Sequence, residues 1–272
     1  IVELESQLKK AQITQDKDRI EDASRNVDIL IHAAATKIVP TAESNPSECI
    51  KTNVIGALNV IDAAKKNKIK KVIALSTDKA CNPINIYGAS KLTSDKLFIS
   101  NNDYENKNAT KFSVVRYGNV MNSRGSVIPF FLSLKKNNYL PITHLEMTRF
   151  MITLDDASDL VILALSKMIG GEIFVKKIPS MRVIDIAKAV NEKAKIKIIG
   201  IRPGEKLHEQ MVSKYDSNST IEFKDYYKIL PDVKYKNILK KMALNGKKVE
   251  KNFEYSSDKN SDWMKVSQLR KL

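Results

Sequence analysis

The sequence predicts an α/β fold, a doubly wound parallel sheet with a smaller second domain on the sheet's carboxyl edge. Three observations carry that expectation. Short apolar runs that end in small or hydroxylated residues alternate with stretches of helical period. The runs are continuously apolar, as strands covered on both faces are. The alternation loosens after about Pro129, where the chain is expected to leave the sheet for the smaller domain.

Val27–Ala35 (VDILIHAAA) reads as a buried parallel strand. Asn45, Pro46 and Ser47 open a helix that runs to about Lys66, with proline suited to its first turn. Lys71–Thr77 (KVIALST) is a second buried strand, and Ile86 to about Ser100 has helical periodicity. Phe112–Val120 (FSVVRYGNV) is a third strand, followed by a loop with Ser123, Arg124 and Gly125. Beyond it, Asp155–Met168 and Val183–Lys193 read as helices, Glu172–Lys176 and Lys195–Ile201 as short strands. The Lys-rich stretch from about Lys228 is weakly patterned and is expected to be peripheral. The chain is thus divided into residues 1–128, the sheet domain, and residues 129–272, mainly the smaller domain with some segments returning to the sheet.

Composition narrows the function classes. With 272 residues and 43% hydrophobic content, the chain can bury a sizeable core. No apolar run reaches the roughly 18 residues a membrane span needs, and no basic-then-apolar leader opens the sequence. Cys49 and Cys81 lie outside any CxxC pair, and His32, His144 and His208 are scattered. The cysteines are therefore expected to be reduced, in a cytoplasmic protein with no metal site. A net charge of +15 raises nucleic acid as a partner. The charge is mostly lysine spread along the chain, without an aromatic RNA-binding strand, so no nucleic-acid partner is expected.

The chemistry centres on Ser76-Thr77-Asp78-Lys79 and Tyr87-Gly88-Ala89-Ser90-Lys91. Tyr87 and Lys91 are four apart and share one helix face. An ammonium beside a phenol favours the phenolate and lowers its pKa. Such a phenol can take the proton from a sugar hydroxyl while hydride leaves for a nicotinamide. Thr77 closes a strand on the rim where ligands sit in such sheets, and its hydroxyl is placed to share that hydrogen bond. A tyrosine and lysine four apart are also common on amphipathic helices, as a packed ring and a snorkelling stem. The position after a buried strand ending in Ser-Thr favours the catalytic pair.

STDKACNPINIYGASK resembles the active-site segment of the UDP-N-acetylglucosamine 4,6-dehydratases, extended short-chain dehydrogenase/reductases. It is most similar to the inverting branch that opens pseudaminic acid synthesis for bacterial flagellin and surface glycans. The likeness runs from about Asp28 to Trp263, through HAAATKIVP, ECIKTNVIGALNVI, FSVVRYGNVMNSRGSVIPFF, MTRFMITLDDA, GGEIFVKKIPSM, IIGIRPGEKLHEQM and FEYSS. Membrane-anchored relatives carry Met where this chain has Tyr87. The resemblance implies a lyase acting on UDP-N-acetylglucosamine with NADP, in a homo-oligomer.

It also implies roles for individual residues. Tyr87 and Lys91, with Thr77, would oxidise the sugar at C4. Lys79, as a neutral amine lowered by burial or by Lys91, would take the C5 proton, and a protonated Asp78 would release the C6 hydroxyl as water. Hydride would return to C6, and reprotonation of C5 from the opposite face would invert it. Ala34, Tyr117 and Gly118 would flank the cofactor. Asn53 would either support the cofactor or make a structural hydrogen bond. Asn119, Lys37, Arg149 and Arg202 would hold the substrate, with Arg124, Val127 and Thr143 beside them. Glu205 would accept hydrogen bonds from ribose hydroxyls.

One departure from the family stands out. A dinucleotide-binding strand, loop and helix needs glycines at its tight turn, and the first glycine of this sequence is Gly56. The expected fold is therefore a Rossmann-type sheet with its N-terminal phosphate-binding unit missing. The residues that select NADP belong to that unit, so NAD stays open. Two alternatives stand beside the inverting dehydratase: a 4,6-dehydratase/5-epimerase of capsule or O-antigen synthesis, and a non-catalytic UDP-sugar-binding fragment.

Overall fold

A computed structural model describes residues 17–123 and 125–270. The chain begins with α1 (Lys17–Ala23), β1 (Ile29–His32), α2 (Val39–Ser44) and α3 (Pro46–Ile50). A π-helical turn, Lys51–Ile55, joins α3 to α4 (Gly56–Lys66), so the expected long helix forms with one wide turn inside it. Next come β2 (Lys71–Thr77), a 3-10 turn at Asp78–Ala80, α5 (Ile86–Ser100), β3 (Lys111–Tyr117) and β4 (Asn119–Val120). The second half contains α6 (Val127–Ser133), β5 (Tyr139–Ile142), β6 (Thr148–Ile152), α7 (Leu154–Lys167), β7 (Ile173–Lys176) and β8 (Ser180–Arg182). It ends with α8 (Val183–Val190), β9 (Lys195–Ile198), β10 (Gln210–Val212), β11 (Thr220–Glu222), β12 (Tyr226–Ile229), α9 (Lys236–Met242), β13 (Lys247–Lys248), β14 (Tyr255–Ser256) and α10 (Val266–Leu269).

The main sheet has seven strands in the order β1-β2-β3-β7-β12-β11-β13. β1, β2, β3 and β7 run parallel, and β12, β11 and β13 extend the sheet antiparallel. Helices cover both faces, as the continuously apolar strands require. On one face, Val60, Ile61 and Phe98 of α4 and α5 pack with Val72, Phe112 and Val114. On the other, Leu160, Val161 and Ala164 of α7 pack on Ile73, Val115 and Phe174. A separate core of Phe131, Leu140, Ile142, Met147, Met181 and Ile186 lies among α6, α8 and strands β5, β6 and β8.

Two sequence expectations need correction. The third strand is split: β3 stays in the main sheet, while Asn119 and Val120 pair with Met151 and Ile152 of β6. Gly118 is the turning point, and a Cβ there would collide with the Phe150 backbone and side chain. The chain after Lys228 is not peripheral either. β12 and β13 belong to the main sheet, Tyr255 packs on Phe150 and Tyr227, and Ser257 is fully buried. These segments are too short to show periodicity, and their places come from pairing, β12 with β7, β13 with β11 and β14 with β10.

Candidate active site

β1, β2 and β3 end on one edge of the sheet, where a cavity of about 890 Å³ opens. Such a position is the usual ligand crevice of an open parallel sheet. Thr77, the last residue of β2, turns the chain into the 3-10 turn. Its Oγ1 accepts from the Lys79 amide at 3.3 Å and donates to Asp78 Oδ1 at 3.0 Å. Asn85 then caps α5, its Oδ1 accepting from the Gly88 amide at 2.7 Å. Gly88 is required because a Cβ would run into the Lys79 carbonyl oxygen. The helix carrying Tyr87 and Lys91 is thereby pressed against the turn carrying Asp78 and Lys79.

Tyr87, Lys91, Thr77 and Lys79 all line the cavity. Burial pushes the Tyr87 phenol up to about 12, against the downward pull of the Lys79 charge and the Thr77 hydrogen bond. The expected lowering of the phenol is therefore not a property of the protein groups alone, because desolvation outweighs the nearby cation. Lys91 is 3% exposed, and burial pulls its pKa down against the Asp95 carboxylate.

Lys79 differs more sharply from expectation. Its Nζ lies 3.1 Å from Asp78 Oδ1, 3.0 Å from Glu209 Oε1 and 3.4 Å from Asn119 Oδ1. Burial works against its charge, but Asp78 and Glu209 outweigh burial and the repulsion of Arg149, so its pKa is raised. The protein groups around Lys79 thus favour its ammonium form over the neutral amine. Asp78 is fully buried behind it and is not part of the cavity wall, and its Oδ2 has no hydrogen-bond partner.

The substrate-side residues are brought together. Lys37, Asn119, Val127, Thr143, Arg149, Arg202 and Glu205 line the same cavity, together with Tyr117 and Gly118 from the expected cofactor side. Glu205 meets two arginines: Oε1 accepts from Arg202 at 2.9 Å and from Arg149 at 3.4 Å, and Oε2 accepts from Arg202 Nε at 3.2 Å. Its oxygens thus orient both guanidinium groups. Asn85 Nδ2 donates to the Gly204 carbonyl at 2.7 Å and ties the arginine loop to α5.

Two expected residues are placed otherwise, and a third is not described. Ala34 is not in the wall, whereas its neighbours Ala33 and Ala35 are, since successive residues of an extended chain point to opposite sides. Asn53 is buried in the π-helical turn and lies off the cavity. Its Oδ1 accepts from the Thr36 amide at 2.8 Å, and its Nδ2 donates to the Thr36 carbonyl at 3.1 Å and to Ser90 Oγ at 2.9 Å. Its hydrogen bonds pin the loop after β1 to α5. Arg124 lies outside the described residues. Glu209, by contrast, lines the cavity and was missed. Its signal was a carboxylate just before the apolar pair Met211 and Val212, inside the segment IIGIRPGEKLHEQM.

Residues 5–231 match the family described as polysaccharide biosynthesis protein. The chain belongs to that family. Within it, a UDP-N-acetylglucosamine 4,6-dehydratase (inverting) of Campylobacter jejuni is 52% identical over 262 residues, 94% of this chain and 78% of that protein. A UDP-glucose 4-epimerase of Rickettsia canadensis is 42% identical over 258 residues, 93% of this chain and 75% of that protein. The X-ray structure of Pen from Bacillus thuringiensis superposes with a TM-score of 0.83 at 37% identity, covering 94% of this chain and 78% of that one. The Rossmann-like parallel sheet is thus the architecture of the family. No helix among the described residues is long and apolar enough to cross a membrane.

Proposed function

We propose that this protein is a nucleotide-sugar 4,6-dehydratase that converts UDP-N-acetylglucosamine to a UDP-4-keto-6-deoxy sugar with inversion at C5. The observation that carries the reading is the Asp78–Lys79 ion pair beside Tyr87 and Lys91. A simple 4-epimerase needs only the tyrosine–lysine pair, because it never breaks the C5–H and C6–O bonds. Elimination of water across C5 and C6 needs a further base and acid, and Lys79 lines the cavity with Asp78 paired directly behind it.

The site fits a nicotinamide dinucleotide at its redox end. Lys91 is buried and lines the cavity, with the Asp95 carboxylate favouring its charge against burial. A ribose diol would offer acceptors to its Nζ. Tyr87, Lys91, Thr77, Tyr117 and Gly118 would hold this end, with Ala33 and Ala35 leaving room beside it. A bound nicotinamide would accept hydride from C4 and return it to C6, and its positive ring would help lower the Tyr87 phenol. NADP is the form proposed here, with NAD as the competing choice.

Tyr87 takes the C4 hydroxyl proton, steadied by Thr77. The resulting ketone acidifies C5–H. One proton shift from Lys79 to Asp78, across 3.1 Å, creates the required base and acid together. The Lys79 amine then draws the C5 proton, and because Asp78 lies behind Lys79 and off the cavity wall, the Asp78 proton reaches the departing C6 hydroxyl by way of Lys79 Nζ, and the hydroxyl leaves as water. Asn119 steadies Lys79 from the β3–β4 side. Lys37, Arg149 and Arg202 set positive charge for the diphosphate, and guanidinium forks suit that partner. Val127 and Thr143, with Arg124, are proposed to frame the nucleotide. A homo-oligomer in the cytoplasm, feeding bacterial surface-glycan synthesis, is the setting that goes with this reading.

The test is incubation of the full-length enzyme with UDP-N-acetylglucosamine and NADP, with product mass read by mass spectrometry. A product lighter by one water is expected. A product of unchanged mass, the 4-epimer, would assign the protein to the epimerases.

A further inference from the structure

Glu209 is 1% exposed and lies in the loop before β10. Its Oε1 is 3.0 Å from Lys79 Nζ and 4.0 Å from Arg149 Nε, and its Oε2 is 3.9 Å from Lys206 Nζ with no hydrogen-bond partner. The backbone around it is clamped from the other end of the chain. Ser257, the last residue of the FEYSS segment, accepts from the Glu209 amide at 2.9 Å through Oγ and donates its own amide to the Glu209 carbonyl at 2.8 Å. Ser257 Oγ is in turn 2.7 Å from Thr148 Oγ1, which is 2.8 Å from His208 Nδ1.

We propose that Glu209 is a positioning residue for Lys79, holding its Nζ against Asp78 at the cavity wall, and that the buried Ser257 clamp exists to fix Glu209. This rests on the dehydratase reading for its purpose, but not for its physical content. A buried carboxylate needs a cation, and two others approach Glu209, but Lys79 is nearest. Lys79 in turn needs a fixed point, because its flexible stem must deliver one atom between an acid and a sugar carbon. Without Glu209, Nζ keeps only Asp78 at 3.1 Å and the longer contact to Asn119 at 3.4 Å. Two carboxylates on opposite elements, one beside β2 and one before β10, define where Nζ sits.

The groups facing Lys79 are Asp78 on its own turn, Glu209 before β10, Arg149 on β6 and Tyr87 on α5. Asp78 and Glu209 favour the ammonium and Arg149 opposes it. Removing the Glu209 charge tips that balance toward the amine.

The experiment compares wild type, Glu209→Gln and Ser257→Ala as full chains. The titration of Lys79 is followed by its 13Cε resonance, assigned with Lys79→Arg, and folding is checked by circular dichroism. In Glu209→Gln the Lys79 titration is expected to move to lower pH by about one unit or more, the differential scale of a lost close charge. In Ser257→Ala, where the charge stays but the clamp is cut, a smaller shift in the same direction is expected. In turnover, kcat is expected to fall at least ~10-fold in Glu209→Gln with KM for UDP-N-acetylglucosamine within about twofold, the pattern of a group acting on the transition state. An unmoved Lys79 titration in a folded Glu209→Gln chain overturns the proposal, and so does an unmoved titration in Ser257→Ala should the first variant not fold. If wild type turns over no sugar while the titration still shifts, the dehydratase reading fails and the Glu209–Lys79 coupling stands.

Discussion

Asn85 donates from Nδ2 to the carbonyl oxygen of Gly204 at 2.7 Å, while its Oδ1 caps the helix that carries Tyr87 and Lys91. One side chain thus sets both the first turn of the catalytic helix and the position of the loop that presents Arg202 and Glu205. Asn85→Ala is expected to lose about 1 kcal/mol of stability from the cap alone. It is also expected to raise KM for the nucleotide sugar more than it lowers kcat, as the arginine loop slackens. Denaturant unfolding and steady-state kinetics check the two effects separately.

Tyr87 and Lys91 share a helix face in the cavity wall, and in the proposed mechanism only Tyr87 moves a proton. Tyr87→Phe keeps the ring and its packing but removes the acid–base group. Loss of turnover on the order of 10²–10⁴-fold is expected, with UDP binding, read by calorimetry, unchanged.

Gly88 lies where a Cβ would meet the Lys79 carbonyl oxygen. Gly88→Ala is expected to cost about 1–3 kcal/mol through this overpacking, because backbone cannot yield as a side chain does. Since the displaced turn carries Asp78 and Lys79, turnover is expected to fall even at temperatures where the variant is fully folded. Thermal unfolding followed by assay below the transition tests this.

His32, buried in the first strand against Phe98, is pulled from 6.5 to about 3 by burial, with the Lys91 charge adding to the effect. The unfolded chain binds a proton below 6.5 that the native chain refuses until about 3. Stability from this group is therefore whole above pH 6.5 and is lost as pH falls toward 3, at up to about 1.4 kcal/mol per pH unit. Urea unfolding at pH 7 and pH 5 should show the decline, and His32→Leu should flatten it.

The parts of the fold legible in the sequence were those with a long, uniform pattern. Lys71–Thr77 and Ile86–Ser100 form with the expected bounds, because each is long enough for a strand or helix period to show. The residues that define the cavity were legible where a motif fixes them to a strand end or a helix start, as with Thr77, Tyr87, Lys91 and Asn119. Others depended on relationships the sequence does not display. Asn53 faces a backbone partner in the loop after β1, and Lys79 is paired with Glu209 as well as with Asp78, although Glu209 lies 130 residues away along the chain. Glu205 found two arginines in reach. Short strands such as β11 and β13 carry no period of their own and are strands only because β12 and β11 lie beside them.

The central claim is that the Asp78–Lys79 pair breaks the C5–H and C6–O bonds of a nucleotide sugar. The most direct measurement is the proton spectrum of the product formed by the full-length enzyme from UDP-N-acetylglucosamine with NADP in heavy water. A C6 methyl signal with solvent deuterium at C5 and a C4 ketone is the result expected, and Lys79→Ala should abolish it. A product that keeps its C6 hydroxyl and its C5 proton, changed only at C4, would contradict the account.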